Sequence, residues 1–208
     1  MNTDQRPTPT DVVRLQPQQL AAAAEVLARA FYDAAVPVYA FPDPAKRPAM
    51  LRVLFSLMLR YGMRHGVVEV TPGPSGIAVW LPHERAEMTL GNSIPVGGLG
   101  FALRVGPGAV NRLATTDASF TRFRNTLAPF PHDYVATVGV SPEHQGKGIG
   151  ATLVRHGMER LRAQNWACYL ETQNERNVPL YLRLGFELKQ DSNLPGTNIR
   201  NWCMLWRP

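Results

Sequence analysis

Residues 138–150 constrain the fold of this chain more than any other segment, because they change from a strand pattern to a helix pattern through a glycine-rich turn. Their sequence is Val-Gly-Val-Ser-Pro-Glu-His-Gln-Gly-Lys-Gly-Ile-Gly. A β-branched run ends before Pro142, and an apolar helical pattern continues from Ala151. The sequence therefore predicts a strand, a tight turn and the start of a helix in direct succession.

The glycines of this turn indicate a site for an anion. Gly146, Gly148 and Gly150 have no Cβ atom, so the backbone can come close to a ligand. The first N–H groups of a helix lack partners within it, and they lie at the positive end of its dipole. A phosphate or pyrophosphate is the ligand that this arrangement favours. The alternative is a turn that only lets a strand and a helix pack closely, since the fingerprints G-x-x-x-x-G-K-[ST] and G-x-G-x-x-G are absent.

A second block of polar and aromatic residues follows the next predicted strand. In chain order it contains Leu170, Glu171, Thr172, Asn174, Asn177, Tyr181, Gly185 and Phe186. Together with Gln-x-x-Gly-x-Gly at 145–150, this order resembles the GNAT acyltransferase superfamily. Over residues 134–208 the chain is similar to the puromycin N-acetyltransferase group of that superfamily, and before residue 131 the resemblance is loose.

The resemblance implies a binding site for acetyl-CoA as co-substrate. In that family the glycine-rich turn binds the pyrophosphate, and the strand before it pairs with the pantetheine arm. Asparagines after the next strand hydrogen-bond the pantetheine amides, although asparagine is also a common helix cap. The cofactor-binding residues implied in this chain are Val138, Val140, Gln145, Gly146, Lys147, Gly148, Ile149, Gly150, Asn174 and Asn177.

Two residues are the main candidates for the chemistry of acyl transfer. The resemblance places the phenol of Tyr181 beside the CoA sulfur as general acid, and the alternative is an aromatic that packs under the sheet. Glu171 ends a mostly apolar strand, so an inward-facing carboxylate would serve as general base; a solvated charge or an ion pair is its alternative. His132, which titrates near neutrality, and the weaker candidates Glu69 and Glu84 are the other possible bases. Some members of the family have no dedicated base.

The hydrophobic pattern along the chain predicts one α+β (α/β) domain over residues 11–208, behind a disordered leader at 1–10. Helices are predicted from residue 17 to about 31 and at 49–65, 110–127, 148–164 and 177–184. Strands are predicted at 12–15, 67–71, 76–81, 134–140, 167–172, 186–190 and 199–206. A proline-rich break is expected at 36–48, and residues 82–108 show no clear pattern. The family resemblance implies a mixed, mainly antiparallel sheet with helices on both faces.

Composition narrows the class of protein. A hydrophobic content of 45% is enough for one full core, and a net charge of +6 favours an anionic ligand such as CoA. The basic residues are scattered, which argues against a nucleic acid partner. Cys168 and Cys203 lack metal-ligand spacing, so we expect no metal and two reduced core thiols. No signal peptide or membrane span is recognisable, so a cytosolic protein is expected, with both a monomer and a homodimer left open.

These observations together predict an acetyl-CoA-dependent N-acetyltransferase. We expect direct transfer to a primary amine, because no cysteine stands at a nucleophile position in the two motif blocks. The resemblance over residues 134–208 implies that the acceptor is a small molecule such as an antibiotic or a metabolite. Two alternatives from other classes stay open. One is a protein or peptide acetyltransferase, which needs an open groove across the sheet, and the other is a CoA-binding sensor without turnover.

Overall fold

Within residues 11–208, seven strands form a single sheet in the order β1-β2-β3-β4-β5-β7-β6. The structure is a computed structural model that describes residues 11–208, so the leader predicted at 1–10 lies outside the described residues. The strands are β1 (Val13–Arg14), β2 (Val67–Val70), β3 (Gly76–Pro82), β4 (His132–Val140), β5 (Ala167–Thr172), β6 (Glu187–Asn193) and β7 (Arg200–Trp206). All neighbouring strands are antiparallel except β4 and β5. The predicted mixed, mainly antiparallel sheet is confirmed.

Helices cover both faces of this sheet. They are α1 (Leu20–Ala30), α2 (Ala35–Ala40), α3 (Arg47–His65), α4 (Leu90–Ser93), α5 (Gly98–Val105), α6 (Pro107–Leu127), α7 (Ile149–Arg162) and α8 (Val178–Arg183). One face packs against α1 and α3 near β2 and β3, and against α2 and α6 near β5 and β7. The opposite face packs against α7 and α8. Because the central strands are covered on both faces, they are apolar along most of their length.

The contact between α7 and the sheet is unusually close at one position. The side chain of Trp80 on β3 is fully buried, and Gly157 of α7 lies directly over it. A Cβ atom on Gly157 would be 2.0 Å from Cζ2 of Trp80. Because Gly157 has no side chain, α7 can lie this close to the sheet. Trp80 is therefore a core residue.

Two predictions about helices need correction. The proline-rich segment 36–48 does not only interrupt the first helix, because α2 forms within it; Pro37 is in the first turn of α2, where a missing N–H costs little. Residues 82–108, which had no clear pattern, contain α4 and α5, and α6 begins at Pro107. These first two helices span too few turns to show a periodic apolar stripe.

The cysteines lie on neighbouring strands but on opposite faces of the sheet. Cys168 of β5 packs in the cluster under α7, whereas Cys203 of β7 packs in the cluster under α6. Both are buried and free, so the expectation of reduced core thiols is confirmed. Among residues 11–208, no helix is both long enough and apolar enough to cross a membrane.

Candidate active site

The parallel strands β4 and β5 separate along their length. Their pairing is limited to His132 with Ala167, Asp133 with Cys168, and Tyr134 with Tyr169. Although β4 continues to Val140 and β5 to Thr172, the described residues of the two strands form no further pair. A gap therefore opens between residues 136–140 of β4 and residues 170–172 of β5.

A β-bulge accounts for this separation. On the other side of β4, Trp80 pairs with Val135 and Val79 pairs with Thr137, so Ala136 has no partner in β3. A bulge of this kind bends its strand and increases the local twist. The bend lies where β4 leaves β5. The backbone of β4 beyond it can then pair with an extended ligand as if the ligand were a strand.

The turn after β4 presents several free backbone donors. Gly146 and Gly148 have φ angles of 77° and 82°, in the left-handed region that favours glycine, and no atom lies within 4 Å of where their Cβ atoms would be. The first hydrogen bond of α7 joins Thr152 N–H to the Gly148 carbonyl at 3.0 Å. The N–H groups of residues 146–151 have no backbone acceptor within the described part of the chain. This arrangement suits a pyrophosphate group.

The other residues of the turn hold it in place. The side-chain amide of Gln145 donates to the carbonyl of Val140 at 3.1 Å, which ties the turn to the end of β4. Ile149 is buried against Gly76, so only its backbone is available to a ligand. Lys147 is exposed and adds a positive charge at the positive end of the helix dipole.

Tyr181 lies in α8, on the face of the sheet that α7 covers. Its side chain is 8% exposed and packs edge-on against Phe186, with ring centroids 5.6 Å apart. Burial, with a smaller contribution from Cys168, raises the pKa of Tyr181 to about 12. The phenol is therefore protonated at neutral pH, which is the state that a general acid requires.

Glu171 is on the opposite face of the sheet from Tyr181. Along β5, Cys168 and Leu170 pack under α7, while Tyr169 packs under α6; Glu171 follows Tyr169 in this alternation. Both carboxylate oxygens are shielded from solvent, and the hydroxyl groups of Tyr134 and Tyr169 approach the carboxylate.

The surroundings of Glu171 bring its titration close to neutrality. Burial raises the pKa of Glu171 to about 7, and the negative charge of Asp117 acts in the same direction. The hydroxyl groups of Tyr134 and Tyr169 and the guanidinium of Arg124 act to lower this pKa, but they do not outweigh burial. A carboxyl group with this pKa is suited to a general base.

The two asparagines of the predicted cofactor site follow β5. The side-chain oxygen of Asn174 accepts a hydrogen bond from the N–H of Arg176 at 3.1 Å and caps a short turn of helix. The amide of Asn177 donates to the hydroxyl of Thr172 at 3.3 Å. Both residues therefore lie near the end of the gap on the β5 side. Their contacts with a cofactor stay a prediction.

The alternative bases have other surroundings. His132 is 2% exposed, its Nδ1 lies 2.7 Å from the Phe130 carbonyl oxygen, and burial lowers its pKa. The carboxylate of Glu69 is buried under α7 and accepts from His156 at 3.1 Å. Glu84 is exposed after β3 and pairs with His83 at 3.2 Å. None of these three side chains lies beside the gap, as Glu171 does.

The structure adds residues that the sequence did not indicate. Asp117 and Arg124 of α6 act electrostatically on Glu171, and Tyr134 of β4 faces it. Asp117 and Arg124 are seven residues apart, which places them on one side of the helix, two turns from each other. The only signal in the sequence was a pair of charged residues beside the apolar stripe of the predicted helix.

Comparisons with known proteins agree with this geometry. Residues 99–186 match the acetyltransferase (GNAT) family. The matched segment contains the glycine-rich turn, Glu171 and Tyr181, so the resemblance to GNAT acyltransferases is confirmed.

Curated relatives match parts of the chain. A mycothiol acetyltransferase from Thermobifida fusca is 38% identical over 32% of this chain and 21% of its own length. An L-amino acid N-acyltransferase from Escherichia coli is 31% identical over 46% of this chain and 56% of its own length. The chain thus spans about a fifth of the first relative and about half of the second.

Solved structures extend the likeness over nearly the whole domain. A protein described as histone acetyltransferase HPA2 and related acetyltransferase, from Corynebacterium glutamicum, has a TM-score of 0.66 at 24% identity and covers 97% of each chain. A polyamine N-acetyltransferase from Drosophila melanogaster has a TM-score of 0.58 at 14% identity, covering 95% of this chain and 100% of its own. At these identities the likeness shows the fold alone.

Proposed function

We propose that this chain is an acetyl-CoA-dependent N-acetyltransferase that transfers the acetyl group directly to a primary amine of a small molecule. One observation is central to the proposal: a carboxyl group that titrates near neutrality lies beside the gap between β4 and β5, and a protonated phenol packs on the opposite face of the sheet. The match of residues 99–186 to an acetyltransferase family supports the same reaction class.

The residues at the gap fit CoA. The free N–H groups of residues 146–151 would bind the pyrophosphate, and the backbone at 138–140 would pair with the pantetheine arm. Asn174 and Asn177 lie at the far side of the gap, where their amides would reach the same arm. When bound, acetyl-CoA supplies an acetyl group activated as a thioester.

Glu171 and Tyr181, on the two faces of the sheet, would then each make one proton transfer. Glu171 would take a proton from the acceptor ammonium, directly or through water, and so leave a neutral amine that can form the new C–N bond. Tyr181 would donate its proton to the sulfur as the C–S bond breaks, and the second proton that the nitrogen loses as the amide forms would restore the phenol. General acid and base steps of this kind each contribute about a hundred- to ten-thousand-fold to a rate. A backbone N–H of β4 aimed at the thioester oxygen would add about 2.7–4 kcal/mol.

A small acceptor is favoured by what covers the face that carries Glu171. Val36 and Tyr39 of α2 pack with Phe120 and Phe123 of α6 over this part of the sheet. A protein or peptide acceptor needs an open groove there, whereas the oxygens of Glu171 are shielded from solvent. Amines are also the acceptors that the names of two relatives imply, an amino acid in one and a polyamine in the other.

The direct test is release of free CoA from acetyl-CoA by the purified protein with a panel of acceptors. The panel contains puromycin, aminoglycosides, polyamines, arylalkylamines, amino acids and short peptides, and mass spectrometry follows the acetylated product. We expect CoA and an acetylated small amine to appear in equal amounts. Acetylation of peptides alone would overturn the small-molecule acceptor. Stabilisation by CoA without turnover on any acceptor would overturn the enzyme and leave a CoA-binding sensor.

A further inference from the structure

The face of the sheet that carries Glu171 is polar but uncharged just beyond this residue. Cys203 of β7 packs on this face and pairs with Glu171 of β5 and with Gln190 of β6. The side chains of paired residues lie on the same face of a sheet, and so do those of residues two apart along a strand. Asn201 of β7 and its partner Ser192 of β6 therefore lie on this face as well.

Gln173, directly after β5, belongs to the same group of side chains. Its side-chain amide donates to Oδ1 of Asn201 at 2.7 Å. Asn201 is fully buried, and its own amide nitrogen lies 3.3 Å from the sulfur of Cys203. These contacts place Gln173 on the face of Glu171, two residues further along the chain. Gln173, Asn201, Ser192 and Gln190 are called the polar band below.

Gln173 is the member of the polar band that is prepared to bind a ligand. A glutamine side chain has two N–H donors and a carbonyl oxygen that accepts. Within residues 11–208, the side chain of Gln173 uses one N–H, for Asn201, and its carbonyl oxygen accepts no hydrogen bond. Gln173 is partly exposed, whereas Asn201 is fully buried. Because Asn201 fixes the orientation of the Gln173 amide, little side-chain entropy remains to be lost on binding.

The spacing along β5 sets the length of a ligand that would reach both Glu171 and Gln173. Thr172 pairs with Trp202, and the contact of Gln173 with Asn201 continues this register by one residue. Residues two apart on a strand are separated by about 6.6–6.8 Å, and glutamate and glutamine side chains have the same length. An acceptor with its amine at Glu171 would therefore meet Gln173 with an atom roughly 6–8 Å from the amine nitrogen.

We propose that Gln173 determines acceptor specificity by binding a neutral hydroxyl or carboxamide group at the far end of the acceptor amine. This inference rests on the proposed acetyl transfer and assigns the class of its acceptor. Asn201 is a positioning residue that acts through Gln173. An alkyl group at this place would leave the Gln173 amide without a partner. A second ammonium or a carboxylate would lose hydration there without gaining an opposite charge, because the polar band is neutral.

The test compares 5-amino-1-pentanol, hexylamine and cadaverine, which have nearly the same length and differ only in a terminal hydroxyl, methyl or ammonium group. We expect wild type to favour the alcohol over each of the others by about tenfold in kcat/KM. Gln173→Leu should raise KM for the alcohol about tenfold, leave kcat and CoA affinity nearly unchanged, and remove the preference over hexylamine. Gln164→Leu, the same change at an exposed glutamine after α7, should match wild type.

Further variants and a shorter pair of acceptors separate recognition from a merely structural role. The hydroxyl of ethanolamine is too close to its amine to reach Gln173, so Gln173→Leu should not change the ratio of ethanolamine to propylamine. Gln173→Glu should turn the preference toward cadaverine, because a carboxylate there pairs with the second ammonium. Asn201→Leu should lower the preference for the alcohol, and the double variant with Gln173→Leu should lower it no further than Gln173→Leu alone. Thermal unfolding and CoA binding report whether each variant folds, and the Gln173 variants decide the question if Asn201→Leu does not.

Equal use of the alcohol and hexylamine by wild type, or a preference that survives in Gln173→Leu, would overturn the inference. Calorimetric binding of 5-amino-1-pentanol to the protein–CoA complex separates it from the proposed function. Binding that Gln173→Leu weakens, in a protein without turnover, would uphold the role of Gln173 and overturn the enzyme. Binding that is indifferent to Gln173, or absent, would overturn the role of Gln173, whether or not the protein turns over.

Discussion

Replacing Glu171 with glutamine should stabilise the fold while it slows the reaction. Glutamine has nearly the shape of a protonated glutamic acid but cannot ionise. The pKa of Glu171 is about 7 in the folded protein against an ordinary value of 4.5. Between pH 4.5 and pH 7 the folded chain binds more protons than the unfolded chain. The free energy of unfolding of the wild type therefore falls as pH rises through this range. One pKa unit corresponds to about 1.36 kcal/mol, so above pH 7 the ionised carboxylate lowers the free energy of unfolding by about 3 kcal/mol.

Urea unfolding at pH 4.5 and pH 8 measures this effect. Glu171→Gln should match wild type at pH 4.5 and exceed it by about 3 kcal/mol at pH 8, which is about 6–12 °C in melting temperature for a domain of this size. Glu175→Gln, a change at an exposed carboxyl four positions later, should leave stability unchanged at both pH values. A variant that is less stable than wild type at pH 8 would show that the Glu171 carboxylate is held by favourable contacts, and the reasoning would fail.

The same variant reports on catalysis. Wild-type kcat should rise with pH through an apparent pKa near 7, because the base must be ionised. In Glu171→Gln that rise should disappear, with a loss of about a hundredfold or more at pH 8. A pH profile that superimposes on that of wild type would return Glu171 to a structural role.

Three further substitutions test other parts of the account. Tyr181→Phe should lower kcat by about a hundredfold or more and leave the CoA dissociation constant nearly unchanged; an unaltered kcat would remove Tyr181 from the mechanism. Gly148→Asp places a charged side chain at a left-handed position in the glycine-rich turn, so calorimetry should show a loss of CoA affinity. Undiminished affinity would mean that CoA binds elsewhere. Gly157→Ala should cost about 1–3 kcal/mol in urea unfolding, because its Cβ would be 2.0 Å from Trp80, whereas Gly100→Ala has open space and should not destabilise. Equal stability of these two alanine variants would contradict the close packing of α7.

Much of the fold could be predicted because its longer elements repeat a clear pattern. The apolar stripes at 49–65 and 148–164 correspond to α3 and α7, and the two runs at 67–71 and 76–81 to the hairpin β2–β3. Prediction failed where elements are short, as in α4 and α5. It also underestimated β6, which extends to Asn193, because this exposed edge strand is almost entirely polar.

The candidate site was less predictable, because its geometry depends on contacts between distant segments. The glycine-rich turn and Tyr181 have local motifs, so the sequence indicates them directly. The gap between β4 and β5 depends on the bulge at Ala136, which has no signature in the sequence. Asp117 is a single acidic residue in a helix, and only the packing of α6 on the sheet brings it within electrostatic range of Glu171.

A crystal structure of the protein with CoA tests the central claim most directly. We expect the pyrophosphate on the N–H groups of residues 146–151, the pantetheine arm in the gap between β4 and β5, and the sulfur within hydrogen-bond distance of the Tyr181 hydroxyl. Glu171 should lie across the gap, on the far side of the sheet. CoA bound outside this gap, or a sulfur atom remote from Tyr181, would contradict the account.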